Sequence, residues 1–185
     1  MNWATIPRKW LRVNPKKVPQ TDAIFTQIAV VNQTADASAT VLRISIDAKA
    51  TVKVGPFARG GKSRLPTVAS DHDFHSSATV TPVGILVPTL NEVFVYGITS
   101  KVTSDCLVDC LLSWWETVRT RFAHITQLVI NLDNGPENHS RRTQFMQRMV
   151  DFVQHAGISV RLAYYPPYHS KYNPIERCWG IVELH

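Results

Sequence analysis

Three acidic residues stand where an α/β protein often places groups that do chemistry. Asp47 closes an alternating run at residues 40–47, Asp133 follows a nearly continuous apolar run at 125–132, and Glu176 lies in the last helical segment. Carboxylates without a histidine or cysteine partner suit Mg²⁺ or Mn²⁺ rather than zinc. Two such ions held by carboxylates cleave or transfer phosphodiester bonds. Structural roles also fit, since Asp forms turns and Glu stabilises a helix N-terminus, so spacing alone leaves both interpretations open.

The composition favours a polyanionic partner and argues against several protein classes. There are 20 Lys and Arg residues against 14 Asp and Glu, a formal net charge of +6, which favours nucleic acid. Cys106, Cys110 and Cys178 form no CxxC pair, which argues against a disulfide framework or a zinc ribbon. The longest apolar runs fall far short of the roughly 20 residues of a membrane-spanning helix, and no signal peptide is visible. A cytoplasmic, nucleoid-associated protein with no membrane partner is expected.

The carboxylates need a sheet and helices to bring them together, and the hydrophobic periodicity predicts both. Residues 80–88 and 92–98 predict an antiparallel hairpin beside a strand at 40–47 that has one buried face. The later predicted elements are a helix capped by Thr103 or Ser104, a strand at 125–132 covered on both faces, a helix from about Ser140 to Gly157, a strand at 158–165, and a helix starting at Asn173 and Pro174.

This element order predicts an α/β fold with one mixed sheet. Three antiparallel strands come first, parallel strands follow, and helices cover both faces, which is the order of ribonuclease H-like domains. Active groups in such sheets collect beyond the carboxyl ends of the parallel strands and at nearby helix starts. Asp133 and Glu176 occupy those places. Asp47 joins them if its strand is the neighbour of the strand that ends at Asp133.

Motifs around the same three acids resemble those of a known family. The stretch that ends at Glu176 reads Tyr-Pro-Pro-Tyr-His-Ser-Lys-Tyr-Asn-Pro-Ile-Glu. It is similar to the signature around the last acidic residue of DDE transposases of the Tc/mariner and related bacterial insertion-sequence group. The segments around Asp133 and Asp47 resemble the second-Asp and first-Asp motifs of these proteins. The likeness covers roughly residues 40–180, most of the chain. With the Asp-His-Asp-Phe stretch at 71–74 and the Pro-Pro-Tyr-His-Ser-Lys stretch, the chain most resembles the Rhodopirellula-type transposase DDE domain.

The resemblance implies a function and a site. Asp47, Asp133 and Glu176 would be the catalytic, metal-binding triad of a transposase that cleaves and transfers DNA strands, with two Mg²⁺ or Mn²⁺ ions as cofactor. The DNA partner would be the inverted-repeat ends of a mobile element, and the protein partner a second copy or a full-length transposase. Two other functions stay open. One is a non-catalytic remnant that binds DNA or a transposase as a regulator, and the other is a ribonuclease H-like nuclease.

Side chains around the triad extend the predicted site. Basic residues of the early loops and of the segment before the last helix are expected to contact DNA, namely Lys49, Arg59, Lys62, Arg64, His169 and Lys171. Glu137 is a spare carboxylate that would either assist a metal ion or complement the N-terminus of a helix.

The chain is predicted to divide near residue 40. Residues 1–39 are interpreted as a basic lead-in followed by a short helix, and 40–185 as a ribonuclease H-like DDE catalytic domain. Transposases of this group carry an N-terminal helix-turn-helix region and continue well past the last glutamate. The chain is therefore expected to be truncated at its C-terminus and to lack a full region for recognising the ends of the element.

Overall fold

The centre of the protein is a mixed six-stranded sheet with helices packed on both faces. The computed structural model describes residues 18–55, 57, 68 and 76–182. The strands in this part of the chain are β1 (Val41–Ala48), β2 (Val52–Val54), β3 (Ala78–Val87), β4 (Glu92–Ile98), β5 (Gln127–Leu132) and β6 (Ser159–Tyr164). The helices are α1 (Thr21–Ala37), α2 (Ser104–Val118), α3 (Thr143–Ala156) and α4 (Glu176–Val182), with a short 3-10 turn at Ser170–Tyr172.

Strand β1 occupies the middle of the sheet. It pairs in parallel with β5, which pairs in parallel with β6. It also pairs antiparallel with β3, which in turn pairs antiparallel with β2 and β4. The predicted antiparallel start and parallel continuation are therefore confirmed. Within the described residues, the antiparallel part has four strands rather than the predicted three. The additional strand, β2, is only three residues long, too short for its sequence to show an alternating pattern.

Strand β1 is buried on both faces, so the prediction of a single buried face is wrong. Residues 42–46 are all buried. Its even-numbered residues pack in the main core with α2 and α3, while the opposite face is covered as well. Arg43 is buried there because it has partners. Its Nε and Nη2 atoms each donate a 2.7 Å hydrogen bond to Asp36 of α1, and its Nη1 donates to Asn131. Polar side chains in a strand are therefore compatible with burial when neighbouring elements satisfy them.

Helix α1 is longer than the predicted short helix. The small and polar residues 33–39 suggest a break, but the helix continues to Ala37. Ala35 is only 2% exposed and packs with Val129 and Ala163 of the sheet. Small side chains let this end of the helix lie close to the strands, so tertiary packing overrides the weak local preference.

The start of α2 and the end of α3 follow the sequence signals closely, whereas α3 begins at Thr143 rather than at about Ser140. Thr103 Oγ1 accepts a hydrogen bond from the backbone N–H of Cys106 at the start of α2, and Gly157, with φ +68°, ends α3. Helix α4 begins at Glu176 rather than at Asn173, because the preceding residues are fastened to the sheet. Among the described helices, none is both long enough and apolar enough to span a membrane.

Candidate active site

Asp47 and Asp133 leave two neighbouring strands at the same edge of the sheet. The parallel register pairs Ser45 of β1 with Asn131 of β5, and each aspartate lies two residues further along the chain. Because side chains alternate along a strand, the pattern places Asp47 on the face that carries Ser45. Asp133 directly follows the last residue of β5. The expectation that these two strands are neighbours is confirmed.

The segment before Glu176 is fastened to the same face of β1 by buried polar groups. Ser45 Oγ donates a 2.5 Å hydrogen bond to Asn173 Oδ1 and accepts a 3.2 Å bond from the backbone N–H of Ile175. Asn173 Nδ2 donates to the carbonyl oxygen of Ile46 at 3.2 Å. Ser45 and Asn173 are almost fully buried, so water does not compete for these bonds. They bring Glu176, the first residue of α4, to the edge of the sheet that carries the two aspartates.

A glycine on β3 makes room for α4 beside Asp47. Gly84 pairs with Asp47 in the antiparallel register. A Cβ atom on Gly84 would lie 2.6 Å from Ile175 Cδ1 and 2.6 Å from Trp179 Cη2. Ile175 and Trp179 are buried and pack with Leu86 in a small core of their own. The missing side chain at Gly84 therefore lets this helix lie directly on the sheet.

Asp47 is a partly buried carboxylate, and both its burial and its neighbours change its pKa. Burial is the largest cause of its raised pKa, and the charges of Asp133 and Glu176 raise it further, to about 7. Hydrogen bonds from Trp179 Nε1, at 3.1 Å to Oδ2, and from the backbone of Ala48 lower the pKa in part. Both other predicted acids thus act on Asp47 through their charge.

Asp133 lies in a loop that supplies amide oxygen atoms. Its Oδ1 accepts a 3.0 Å hydrogen bond from Asn138 Nδ2. A Cβ atom on Gly135 would lie 3.2 Å from both Asp133 Oδ1 and Asn138 Oδ1, so these oxygens surround the glycine. Asn134 Oδ1 and Asn138 Oδ1 are buried and have no hydrogen-bond partner among the described residues. Buried acceptors of this kind call for a cation or water. Sequence reasoning misses Asn138, for which a loop position is the only signal.

A cavity of about 190 Å³ has both aspartates in its lining. Glu137 and Asn138 also line it, and most of the remaining wall consists of apolar side chains from β1, β5, α2 and α3. The spare carboxylate Glu137 therefore lies close to the aspartate pair. Its carbonyl oxygen accepts a 2.6 Å hydrogen bond from Ser104 Oγ, which ties this loop to the start of α2.

The carboxylate and amide oxygens of this site suit a hard divalent cation, but they do not converge on one point. In residues 18–55, 57, 68 and 76–182, no three His, Cys, Asp or Glu side chains are grouped as a metal site. Asp47 and Asp133 each have one oxygen held by a hydrogen-bond donor, Trp179 or Asn138. Carboxylate and amide oxygens are the ligands that Mg²⁺ and Mn²⁺ prefer, and a cation would offset the repulsion around Asp47. Metal binding here therefore requires the carboxylates to turn toward a common point.

Each of the two described lysines predicted to contact DNA lies beside an aromatic ring. Lys49 follows β1 directly, and its Nζ lies 6.0 Å from the centre of the Trp179 ring. Lys171 is exposed, and its Nζ lies 5.1 Å from the centre of the Tyr172 ring. Their contacts with DNA stay predictions. The other predicted basic contacts, Arg59, Lys62 and Arg64, lie outside the described residues.

His169 is part of an aromatic cluster. It is 3% exposed, its ring is 5.4 Å from that of Phe25 on α1, and it stacks on Tyr172 at 6.0 Å. Its Nδ1 lies 2.8 Å from the carbonyl oxygen of Pro167. This placement favours a role in fastening the loop before α4 to α1 and leaves little of the ring for the predicted DNA contact.

Solved structures of the Mos1 mariner transposase share this fold. The Mos1 paired-end complex with Mn matches with a TM-score of 0.58 over 97% of this chain and 54% of the Mos1 chain, at 12% identity. The paired-end complex with the left transposon end matches with a TM-score of 0.59 over 98% and 53%, at 10% identity. The predicted ribonuclease H-like α/β fold is thus confirmed. The chain spans about half the length of the Mos1 chains it matches.

The sequence also defines the family. Residues 7–185 match the Rhodopirellula transposase DDE domain, and the chain belongs to this family. The resemblance inferred from the motifs around the three acids is therefore confirmed. No curated protein matches the chain.

Proposed function

We propose that this chain is the catalytic domain of a DDE transposase that cleaves and transfers DNA strands. Asp47, Asp133 and Glu176 are the catalytic, metal-binding residues, and the cofactor is two Mg²⁺ or Mn²⁺ ions. The observation that carries the proposal is the position of Asp47 and Asp133 at the ends of adjacent parallel strands, where both line one cavity, with Glu176 acting on Asp47 through its charge. Membership of a transposase DDE family and the Mos1-like fold support it. Mos1 paired-end complexes have been solved with Mn and with Mg, which supports the choice of cofactor.

Each residue has a role that follows from its place in the fold. Asp47 and Asp133, on adjacent strand ends, would be metal ligands, and Glu176, at the start of α4, would complete the ligand set. Divalent ions held by these residues would activate a water or 3′-hydroxyl as nucleophile and would stabilise the leaving oxygen. Trp179 and Asn138 each hold one oxygen of an aspartate, which limits the orientations that the carboxylates adopt.

The proposed substrate is DNA at the inverted-repeat ends of a mobile element. The net charge of +6 favours binding to a phosphate backbone, and the matched Mos1 structures are complexes with transposon ends. The protein partner is a second copy of the chain or a full-length transposase. The proposed place of action is the nucleoid, in the cytoplasm.

Metal-dependent nicking of supercoiled DNA tests the proposal. The wild type is expected to produce open circles with Mn²⁺ and none in EDTA. Asp133→Asn and Glu176→Gln keep side-chain size and remove one charge, so each is expected to lower the rate by roughly a hundredfold or more while DNA binding persists or strengthens. Asp109→Asn changes an exposed aspartate of α2 in the same way and is expected to nick like the wild type.

The outcomes separate the proposed function from its alternatives. Nicking that survives Asp133→Asn or Glu176→Gln unchanged would remove these residues from the site. A wild type that binds DNA but never nicks it would favour a non-catalytic remnant that acts as a regulator. Nicking without transfer of a labelled strand into a target plasmid would favour a ribonuclease H-like nuclease.

A further inference from the structure

A polar groove adjoins the cavity that contains the two aspartates. It has a volume of about 480 Å³, and Ala48 and Glu137 line both it and the cavity. Ala48 directly follows Asp47, so the groove begins one residue from a proposed catalytic carboxylate. Its polar side chains include Lys49, Thr51, Thr81, Thr99, Ser100 and Lys101, and it is called the hydroxyl groove below.

The lining of the hydroxyl groove is suited to phosphate. It contains two lysines, five side-chain hydroxyls and one acid, Glu137, at the part shared with the cavity. Thr51 Oγ1 and Thr81 Oγ1 are 2.7 Å apart, so one donates to the other and the second keeps its proton for a ligand. Lys101 is exposed just before α2. Lysine ammonium and hydroxyl groups are common donors to phosphate oxygens of DNA.

The groove lacks several of the groups that read bases. Among the described residues that line it there is no aromatic ring, Asn, Gln or Arg side chain. Adenine is read by Asn and Gln, guanine by Arg or Lys, and unpaired bases stack on aromatic rings. The lysines and hydroxyls present are the usual donors to phosphate oxygens, so the groove suits the backbone of a strand better than its sequence.

We infer that the hydroxyl groove binds the phosphodiester backbone of the DNA strand beside the bond that is cut, without reading its sequence. This inference rests on the proposed function, because the carboxylates at Ala48's end of the groove define which bond is cut. Lys49 and Lys101 neutralise phosphates, and the hydroxyls of Thr51, Thr81 and Ser100 position them.

The test measures binding of a labelled DNA duplex by fluorescence anisotropy in EDTA, from about 50 to about 200 mM NaCl. Lys101→Ala is expected to weaken binding by roughly threefold to tenfold and to lower the slope of log affinity against log salt by about 0.9. Lys101→Arg keeps the charge and is expected to keep the slope. Thr81→Val removes a neutral hydroxyl, so it should weaken binding with the slope unchanged. Arg161→Ala is the matched control, because Arg161 is exposed in β6 at the opposite edge of the sheet.

The results distinguish this inference from the proposed function. The inference would be overturned if Lys101→Ala kept the affinity and salt slope of the wild type, or if Arg161→Ala lost as much affinity as Lys101→Ala. It would also be overturned if affinity fell for only one DNA sequence. A wild type that never nicks but loses slope on Lys101→Ala would support the groove and contradict the proposed function. If the wild type nicks DNA but Lys101→Ala binds DNA as the wild type does, the groove inference is contradicted and the proposed function is not.

Discussion

Trp179 Nε1 donates a 3.1 Å hydrogen bond to Asp47 Oδ2. The indole fits there because Gly84 has no side chain: a Cβ atom on Gly84 would lie 2.6 Å from Trp179 Cη2. The bond lowers the pKa of Asp47, whereas burial and the charges of Asp133 and Glu176 raise it. Helix α4 therefore supplies one proposed catalytic acid, Glu176, and also orients another. Its docking on the sheet is the relationship on which the proposed site depends.

The first prediction concerns pH. In EDTA, the contribution of Asp47 to the free energy of unfolding should fall as pH rises from about 4 to about 7. Between the ordinary pKa of 3.8 and the folded-state pKa of about 7, the folded protein keeps a proton that the unfolded chain has released, so raising the pH favours unfolding. Asp47→Asn cannot titrate. It should match the wild type near pH 4 and exceed its stability by up to about 4 kcal/mol at about pH 8. Urea denaturation of both proteins measures this difference, and a difference that does not grow with pH contradicts the account.

The second prediction concerns the indole N–H of Trp179. Trp179→Phe keeps an aromatic ring over Gly84 and removes the donor to Asp47, so the pKa of Asp47 should rise and protons should compete better with metal. The Mn²⁺ concentration for half-maximal nicking at about pH 7 is expected to increase several-fold. Trp114→Phe is the matched control, because Trp114 Nε1 is buried without a partner among the described residues. Equal shifts in both variants would mean that lost packing, not the hydrogen bond, is responsible.

The third prediction concerns the space at Gly84. Gly84→Ala places a Cβ 2.6 Å from Ile175 and Trp179 atoms, so it should destabilise the protein by about 1 to 3 kcal/mol and weaken nicking as α4 shifts. Gly180→Ala on α4 meets no atom within 4 Å and should raise stability by up to about 1 kcal/mol. Thermal or urea unfolding of the two variants measures the contrast. A Gly84→Ala protein as stable and active as the wild type would show that close packing there is unnecessary.

The fourth prediction concerns the anchor before Glu176. Ser45→Ala and Asn173→Ala each leave a buried polar group without its partner, so each should cost about 1 to 3 kcal/mol. The double variant should cost clearly less than the sum, because the two side chains share one hydrogen bond. Nicking should fall in both single variants, since the anchor positions Glu176. Additive losses of stability would contradict the network.

The strand ends that carry Asp47 and Asp133 are predictable from sequence because local patterns specify them. An apolar run followed by Asp133 indicates a buried parallel strand, and alternation before Asp47 indicates another strand. The motif that ends at Glu176 adds the third acid. Its physical basis is visible in the structure, where Asn173 bonds to β1 and Ile175 fills a small core.

The surroundings of these acids are not predictable in the same way. Alternation treats Arg43 and Ser45 as exposed, whereas α1 and the segment before α4 cover them through long-range hydrogen bonds. The contact between Trp179 and Asp47 depends on Gly84 of a third element. Single-segment patterns carry no information about such contacts. The catalytic roles of the triad and the division of the chain near residue 40 remain predictions.

The central claim is that Asp47, Asp133 and Glu176 form one metal site, and metal-dependent thermal stability tests it most directly. At a hundredfold excess of Mn²⁺ over its dissociation constant, the wild type and Asp109→Asn should gain about 2.7 kcal/mol, a rise in Tm of roughly 5 to 10 °C. Asp133→Asn and Glu176→Gln should gain much less. No shift in the wild type, or the same shift in Asp133→Asn, would contradict the claim.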